Sequence, residues 1–241
     1  MTSGAGSRGA SSSPPANWLV LQQLLDSALP IGGFSHSFGL ETLIQEGGIR
    51  SAADLEQYLR AMLEQSWATT DALVVSAVYR DAPAGEYRRL WAAERIVHVQ
   101  RIGTETRSGM EKMGRRLLAL AASIYPGCRM EELEKAYREG ECLLTHPLVF
   151  GWICWQSGIG REQAVQGWLY GSISNAVNSA LRLMAIGQTE AQRMLALLSA
   201  DAGRAAGITL GMEPEEAWSN MPFAELAMIR HETLYSRLFM S

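Results

Sequence analysis

The residues of this chain that could do chemistry are four histidines (His36, His98, His146 and His231), three cysteines and a Ser-His dipeptide at Ser35-His36. A nucleophile elbow reads G-x-S-x-G at the end of a strand, whereas Gly33-Phe34-Ser35-His36-Ser37 fails at its last position and no strand pattern precedes it. Adjacency in sequence is not a catalytic hydrogen bond, so a serine hydrolase is excluded. A phosphate-cradling loop needs a lysine directly after glycine, and Lys112 and Lys135 both follow glutamate, so GTP is not bound by that route. No H-x-H or H-x-x-x-H pair exists. Cys142 and His146, with Glu141 nearby, have the spacing of one helical face and the softness of a transition-metal site. Pro147 disturbs a helix through His146, however, and one pair does not close a site. Two acid–base pairs remain, His36 with Glu41 and His231 with Glu232. A helical enzyme acting on a small molecule would need such groups converging in one bundle cavity. Otherwise the histidine–glutamate pair near the end is a solvated helix face.

These residues sit in a chain that reads as helices throughout. Asn17 can cap a first helix carrying Trp18, Leu21, Leu24 and Leu25. Pro30 stops it, Gly32-Gly33 turns the chain, and Ser35 and Ser37 can accept from free amides of a new helix over 38–46 that ends at Gly47-Gly48. His36 and Glu41 therefore lie at an elbow. Ser51 to Asp54 forms a capping box before Leu55, Leu59, Met62 and Leu63. Helices are predicted over 71–80, 86–98 (either stopping there or continuing past Gly103), 104–122, 130–138, from His146-Pro147 to Gly158, and over 161–186. Gly109 and Gly114 inside a helix imply a close backbone or a kink, and Gly167 and Gly171 offer one face to another helix, either within the bundle or across a dimer contact. Asn175 and Asn178 would need partners if buried. Thr189 with Gln192 opens the next helix, which Gly207 stops. The last runs from Phe223 toward Leu234 or beyond, with Leu234, Tyr235, Leu238 and Phe239 making one apolar face and Arg230 and Arg237 supplying the cations. No period-two segment or repeat appears, so the fold class is all-α, a single helical-bundle domain of about ten helices over 17–241.

Composition limits the partners. A net charge of -4 gives no basic field for nucleic acid. Arginine outnumbers lysine 19 to 2, which either favours protein interfaces or reflects codon usage. The cysteines form no C-x-x-C pair and read as reduced, structural thiols of a cytoplasmic protein. Residues 1–16, MTSGAGSRGASSSPPA, lack the apolar core of a signal sequence and are expected to be a disordered tail. The longest apolar run, Pro147 to Trp155, is too short to cross a membrane.

Four ordered stretches carry a resemblance. Ala28 to Glu41, ALPIGGFSHSFGLE, closely resembles the N-terminal motif of the UreF family of urease accessory proteins. Glu105-Thr106-Arg107 with Met113 to Leu118, then Ile186 to Gln192, then the ending His231 to Ser241 match the same family, and the likeness extends from Asn17 onward. Ala185 stands where the family often has proline. The resemblance implies an all-helical, homodimeric, non-enzymatic adaptor without a cofactor. It binds UreD (also called UreH) and the GTPase UreG, modulates the GTP cycle, and helps to load nickel into apo-urease. Carried over by motif, Phe34, Ser35, His36, Ser37 and Glu41 belong to the first block. Gly187 and Gln188 belong to the third, and His231, Glu232, Tyr235, Ser236, Arg237, Leu238 and Phe239 to the last. With Arg230, these are the expected partner-binding residues.

Overall fold

Two helices are apolar nearly all the way round, and that pattern puts them inside. In the computed structural model, which describes residues 17–241, α4 (Asp71–Asp81) and α8 (His146–Gln156) are buried along most of their length and pack against each other. Gly151 lets them close up: a Cβ there would lie 3.1 Å from the Cα of Val75. The long α9 (Arg161–Leu183) crosses this pair and also meets α10 (Gln188–Leu210), α2 (Leu40–Gln45) and α3 (Ala52–Gln65). Around them lie α1 (Asn17–Leu24), α5 (Tyr87–Gln100), α6 (Thr104–Ile124), α7 (Glu131–Arg138) and α11 (Pro222–His231). The described residues contain eleven α-helices, three short 3₁₀ turns and no strand. The all-α expectation holds. The predicted tail 1–16 lies outside the described residues.

Local rules and tertiary contacts divide the boundaries between them. Ser51 and Asp54 form the expected reciprocal cap of α3. Helices α5 and α6 are separate. The chain breaks at 101–103 because Glu225 takes the Ile102 amide at 2.9 Å and Glu232 takes those of Thr104 and Glu105 at 3.0 and 3.4 Å. Helix α10 starts at Gln188 on a Gly187 N-cap, so the predicted Thr189–Gln192 box does not form. Gly207 does not stop that helix. The helix is buried on both sides of it, through Ala205, Ala206 and Thr209, and the Thr209 hydroxyl donates to the Ala68 carbonyl at 2.7 Å.

The glycines inside α6, α8 and α9 face close neighbours, whereas Gly203 and Gly207 of α10 meet nothing within 4 Å. Gly167 and Gly171 receive Leu21 and Leu25, where an added Cβ would lie 2.9 and 3.1 Å from their side-chain carbons. That face is occupied by the first helix and its extension, leaving no room for a second copy of the chain there. Gly109 lies under the ring of His36, and Gly114 under the backbone of residues 144–146. Glu94, buried on α5, holds that same loop by accepting the amides of Leu143 and Thr145 at 2.8 and 2.7 Å. Burial pushes its carboxyl above the usual range despite those bonds.

Candidate functional site

The elbow and the end of the chain, some two hundred residues apart, form one site. Helix α1 ends at Leu24, and a turn through Pro30 and a left-handed Gly32 leads to a short 3₁₀ segment at Gly33–Ser35. Gly39, also left-handed, then starts α2, because a Cβ there would sit 3.0 Å from the Met228 amide of α11. Ser37 caps α2 by accepting the Glu41 amide at 3.3 Å. Ser35 does not cap; its hydroxyl donates to the Gly32 carbonyl at 2.7 Å.

Glu41 is the centre. It is 1% exposed, and its two carboxylate oxygens accept the amides of Leu238 (2.7 Å) and Phe239 (3.1 Å) and lie 3.0 Å from His231 Nε2. His231, fully buried, has its other ring nitrogen 2.9 Å from Glu105, whose second oxygen takes Arg237 at 2.6 Å. Burial pushes the Glu105 carboxyl up, but the bonds from His231 and Arg237 prevail and hold it below its ordinary value. Two sequence expectations are corrected here. His231 is not part of a solvated face, and α11 stops at His231, so residues 232–241 form a non-helical strap with no helical apolar face. The chain bends at Leu238 and Phe239, which turns their consecutive amides toward one carboxylate.

The strap closes on the elbow at its far end. Ser37 and Phe38 donate their amides to the Ser241 carbonyl at 2.6 and 3.0 Å, Met240 donates to the Ser35 carbonyl at 2.8 Å, and His36 Nδ1 lies 2.7 Å from the Ser241 hydroxyl. Phe239 is buried under the Arg182 guanidinium, 4.4 Å from its ring centroid, and Arg182 also donates to the Phe34 carbonyl. Asn175 finds its partner in the His36 carbonyl at 3.1 Å. Of the expected residues, Arg230 pairs with Glu46, Glu232 caps α6, and the Ser236 carbonyl accepts Gln45. Gly187 and Gln188 are exposed at the start of α10 and take no part in this network. Asn175 and Arg182 escaped the assignment to this site, since nothing in α9's own pattern shows which carbonyls its polar groups meet.

The histidines are set apart by burial. Burial, with the charges of Lys112 and Arg116, lowers His36 to about 4, and burial, then His36, lowers His146 to about 4. Both are neutral when folded and take protons more readily when unfolded. Stability is therefore complete above about 6.5 and is lost as pH falls toward 4, by about 1 kcal/mol per pH unit per histidine. Thermal melts at pH 7, 6 and 5 are expected to show this fall, and His146→Gln a shallower one. Cys142 and His146 diverge. The thiol, pushed up to about 12 by burial, points at the Leu133 carbonyl, while His146 packs edge-on against Trp168 at 4.9 Å. Among the described residues no three His, Cys, Asp or Glu side chains cluster to hold a metal ion.

A cavity of about 170 Å³, partly open to solvent, lies beside the elbow, lined by Leu29, Phe38, Met110, Phe150 and Trp168 among others. Its charged groups are committed elsewhere: Asp71 pairs with Arg101, Glu225 holds the Ile102 amide, and Asp26 accepts the Ala28 amide. The pairs His36–Glu41 and His231–Glu232 do not line it. No described helix is long and apolar enough to cross a membrane.

Comparison with known proteins agrees with this architecture. A family model described as UreF matches residues 49–199. The urease accessory protein UreF of Trichodesmium erythraeum is 31% identical over 221 residues, covering 92% of this chain and 95% of its own. The UreF of Bacillus sp. strain TB-90 is also 31% identical, over 92% and 98% of the two chains, and that of Paenarthrobacter aurescens 29%, over 92% and 97%. By that measure this chain belongs to the UreF family of urease accessory proteins.

Proposed function

We propose that the chain is a non-catalytic adaptor of urease maturation that links UreD (UreH) to the GTPase UreG and modulates the GTP cycle during nickel insertion into apo-urease. Family membership supports the role in maturation. The observation that carries the adaptor reading is the rim of the elbow–strap site. Tyr235 is fully exposed, and Phe34, Leu238 and Met240 are each more than half exposed, on a base pinned by Glu41 and the elbow. Exposed aromatic and aliphatic groups held on a fixed frame are characteristic of a binding surface. UreD is the partner assigned to this rim. The enzyme reading lacks support, because the acid–base pairs it needs are tied up in holding the strap and stand outside the cavity.

Tyr235→Ala is expected to weaken UreD binding by about 1–3 kcal/mol while leaving the melting temperature unchanged, since its side chain touches solvent only. Calorimetric titration of the variant against UreD reads this, and unaltered affinity would remove the rim from the interface. The chain is also proposed to act as a homodimer in the cytoplasm. Light scattering should report about twice 26.4 kDa, although the Gly167–Gly171 face is not where two copies meet.

A further inference from the structure

We propose that the cavity beside the elbow is a binding site for a neutral small molecule, a flat apolar body of about one ring that carries a hydroxyl group. The space, about 170 Å³, is close to the cavity of about 150 Å³ that takes up benzene when cut into another protein's core. Its walls are largely apolar. Leu29 and Phe38 come from the elbow, Met110 from α6, Phe150 from α8 and Trp168 from α9. On one side the rings of His146, Phe150 and Trp168 meet edge to face, with centroids 4.9, 5.3 and 6.5 Å apart. Such a corner favours another flat ring. The cavity reaches solvent where the exposed Phe34 and Asn178 line it.

Polar atoms set the functional group. Among the described residues, six buried side-chain polar atoms lack a hydrogen-bond partner. Three of them, Thr106 Oγ1, His146 Nε2 and Trp168 Nε1, belong to residues that line this one cavity. Atoms left unpaired inside a protein are costly, so whatever fills the space has to serve them. An indole N–H only donates, whereas a neutral imidazole nitrogen donates or accepts according to its tautomer. A hydroxyl suits that set. Its oxygen accepts from Trp168, and its hydrogen goes to His146, the neighbouring ring. Water suits it less, because molecules beyond the few that meet these atoms would face hydrocarbon. A charged ligand is disfavoured, since Asp26, Asp71, Arg101 and Glu225 in the lining are already engaged and nothing there balances it. This goes beyond the adaptor reading and needs no protein partner to be true.

Titration of the full chain with phenol and with benzene, followed by NMR of labelled methionine methyl groups, tests it. Met110 and Met113 line the cavity, whereas the buried Met130 and Met194 do not and serve as controls. Phenol is expected to shift the Met110 and Met113 methyls saturably, with a Kd of about 1 mM or below, and to leave the controls in place. It should bind about fivefold or more tighter than benzene, the worth of one neutral hydrogen bond. A hydroxyl buried without a partner would instead make phenol the weaker ligand. W168F keeps a ring in place and removes the N–H, so phenol affinity should fall about fivefold while benzene binds as before. Phenol no tighter than benzene, shifts confined to the exposed Met240, or no response at about ten times that concentration would overturn the proposal. A folded W168F that binds phenol like the wild type also rejects it. Should W168F fail to fold, the wild-type comparison of the two ligands decides.

Discussion

Gly114→Ala is expected to destabilise the protein by about 4 kcal/mol or more, enough to leave little folded material at 37 °C. The added methyl would overlap the Leu144 carbonyl oxygen and lie 2.6 and 2.8 Å from the backbone of Thr145 and His146. Overpacking is usually tolerated when a flexible side chain can move aside. Here every obstructing atom is main chain, and that loop cannot retreat. Leu144 already sits at φ 55, Glu94 holds the amides on either side of it, and His146 begins the buried α8. Gly203→Ala on α10 is the matched control. Its Cβ would meet nothing within 4 Å, so the same substitution should stabilise by about 0.5–1 kcal/mol through helix propensity. Urea unfolding of both variants reads the contrast. Near-equal effects would mean that the loop does not pass over Gly114 as described.

That contrast also marks what was legible in the chain. A glycine inside an apolar helical pattern often marks a close neighbour, and Gly109, Gly114, Gly167 and Gly171 each have one, whereas Gly203 and Gly207 have none. What the pattern leaves out is the neighbour's identity: a loop, a histidine ring, or the first helix. The elbow was legible because proline and glycine act locally, and so was the Ser51–Asp54 cap. The strap was misread for the converse reason. Leu234 and Leu238 have helical spacing, yet the backbone there is committed to Glu41, a residue nearly two hundred positions away. Gly207 failed as a stop because long-range burial of its neighbours outweighed about 1 kcal/mol of propensity. The structural pairing of the first and last motifs was equally hidden. Each motif is visible alone, and only a buried carboxylate joins them.

The carboxylate of Glu41 is the second place where a single change should be costly. Glu41→Ala is expected to lose about 3–5 kcal/mol, the range for removing one partner of a buried pair. The deletion leaves the Leu238 and Phe239 amides without their acceptor and His231 facing Glu105 alone. Glu41→Gln should cost less, because its amide oxygen can still accept from the strap. The two sites must also be coupled. If Glu41 and His231 act as one unit, the double variant Glu41→Ala/His231→Ala is less destabilised than the sum of the singles, by about 1–3 kcal/mol. Denaturant midpoints of the four proteins supply the cycle. Additivity within about 0.5 kcal/mol would mean that the strap is held by its other bonds, those of Ser37, Phe38 and Met240 to the elbow. With coupling, the family's first and last motifs are one structural element. Substitutions at Glu41 then unseat Tyr235 and Leu238, whereas Tyr235→Ala leaves the frame intact, so on the proposed adaptor role the first acts through the frame and the second through the rim alone.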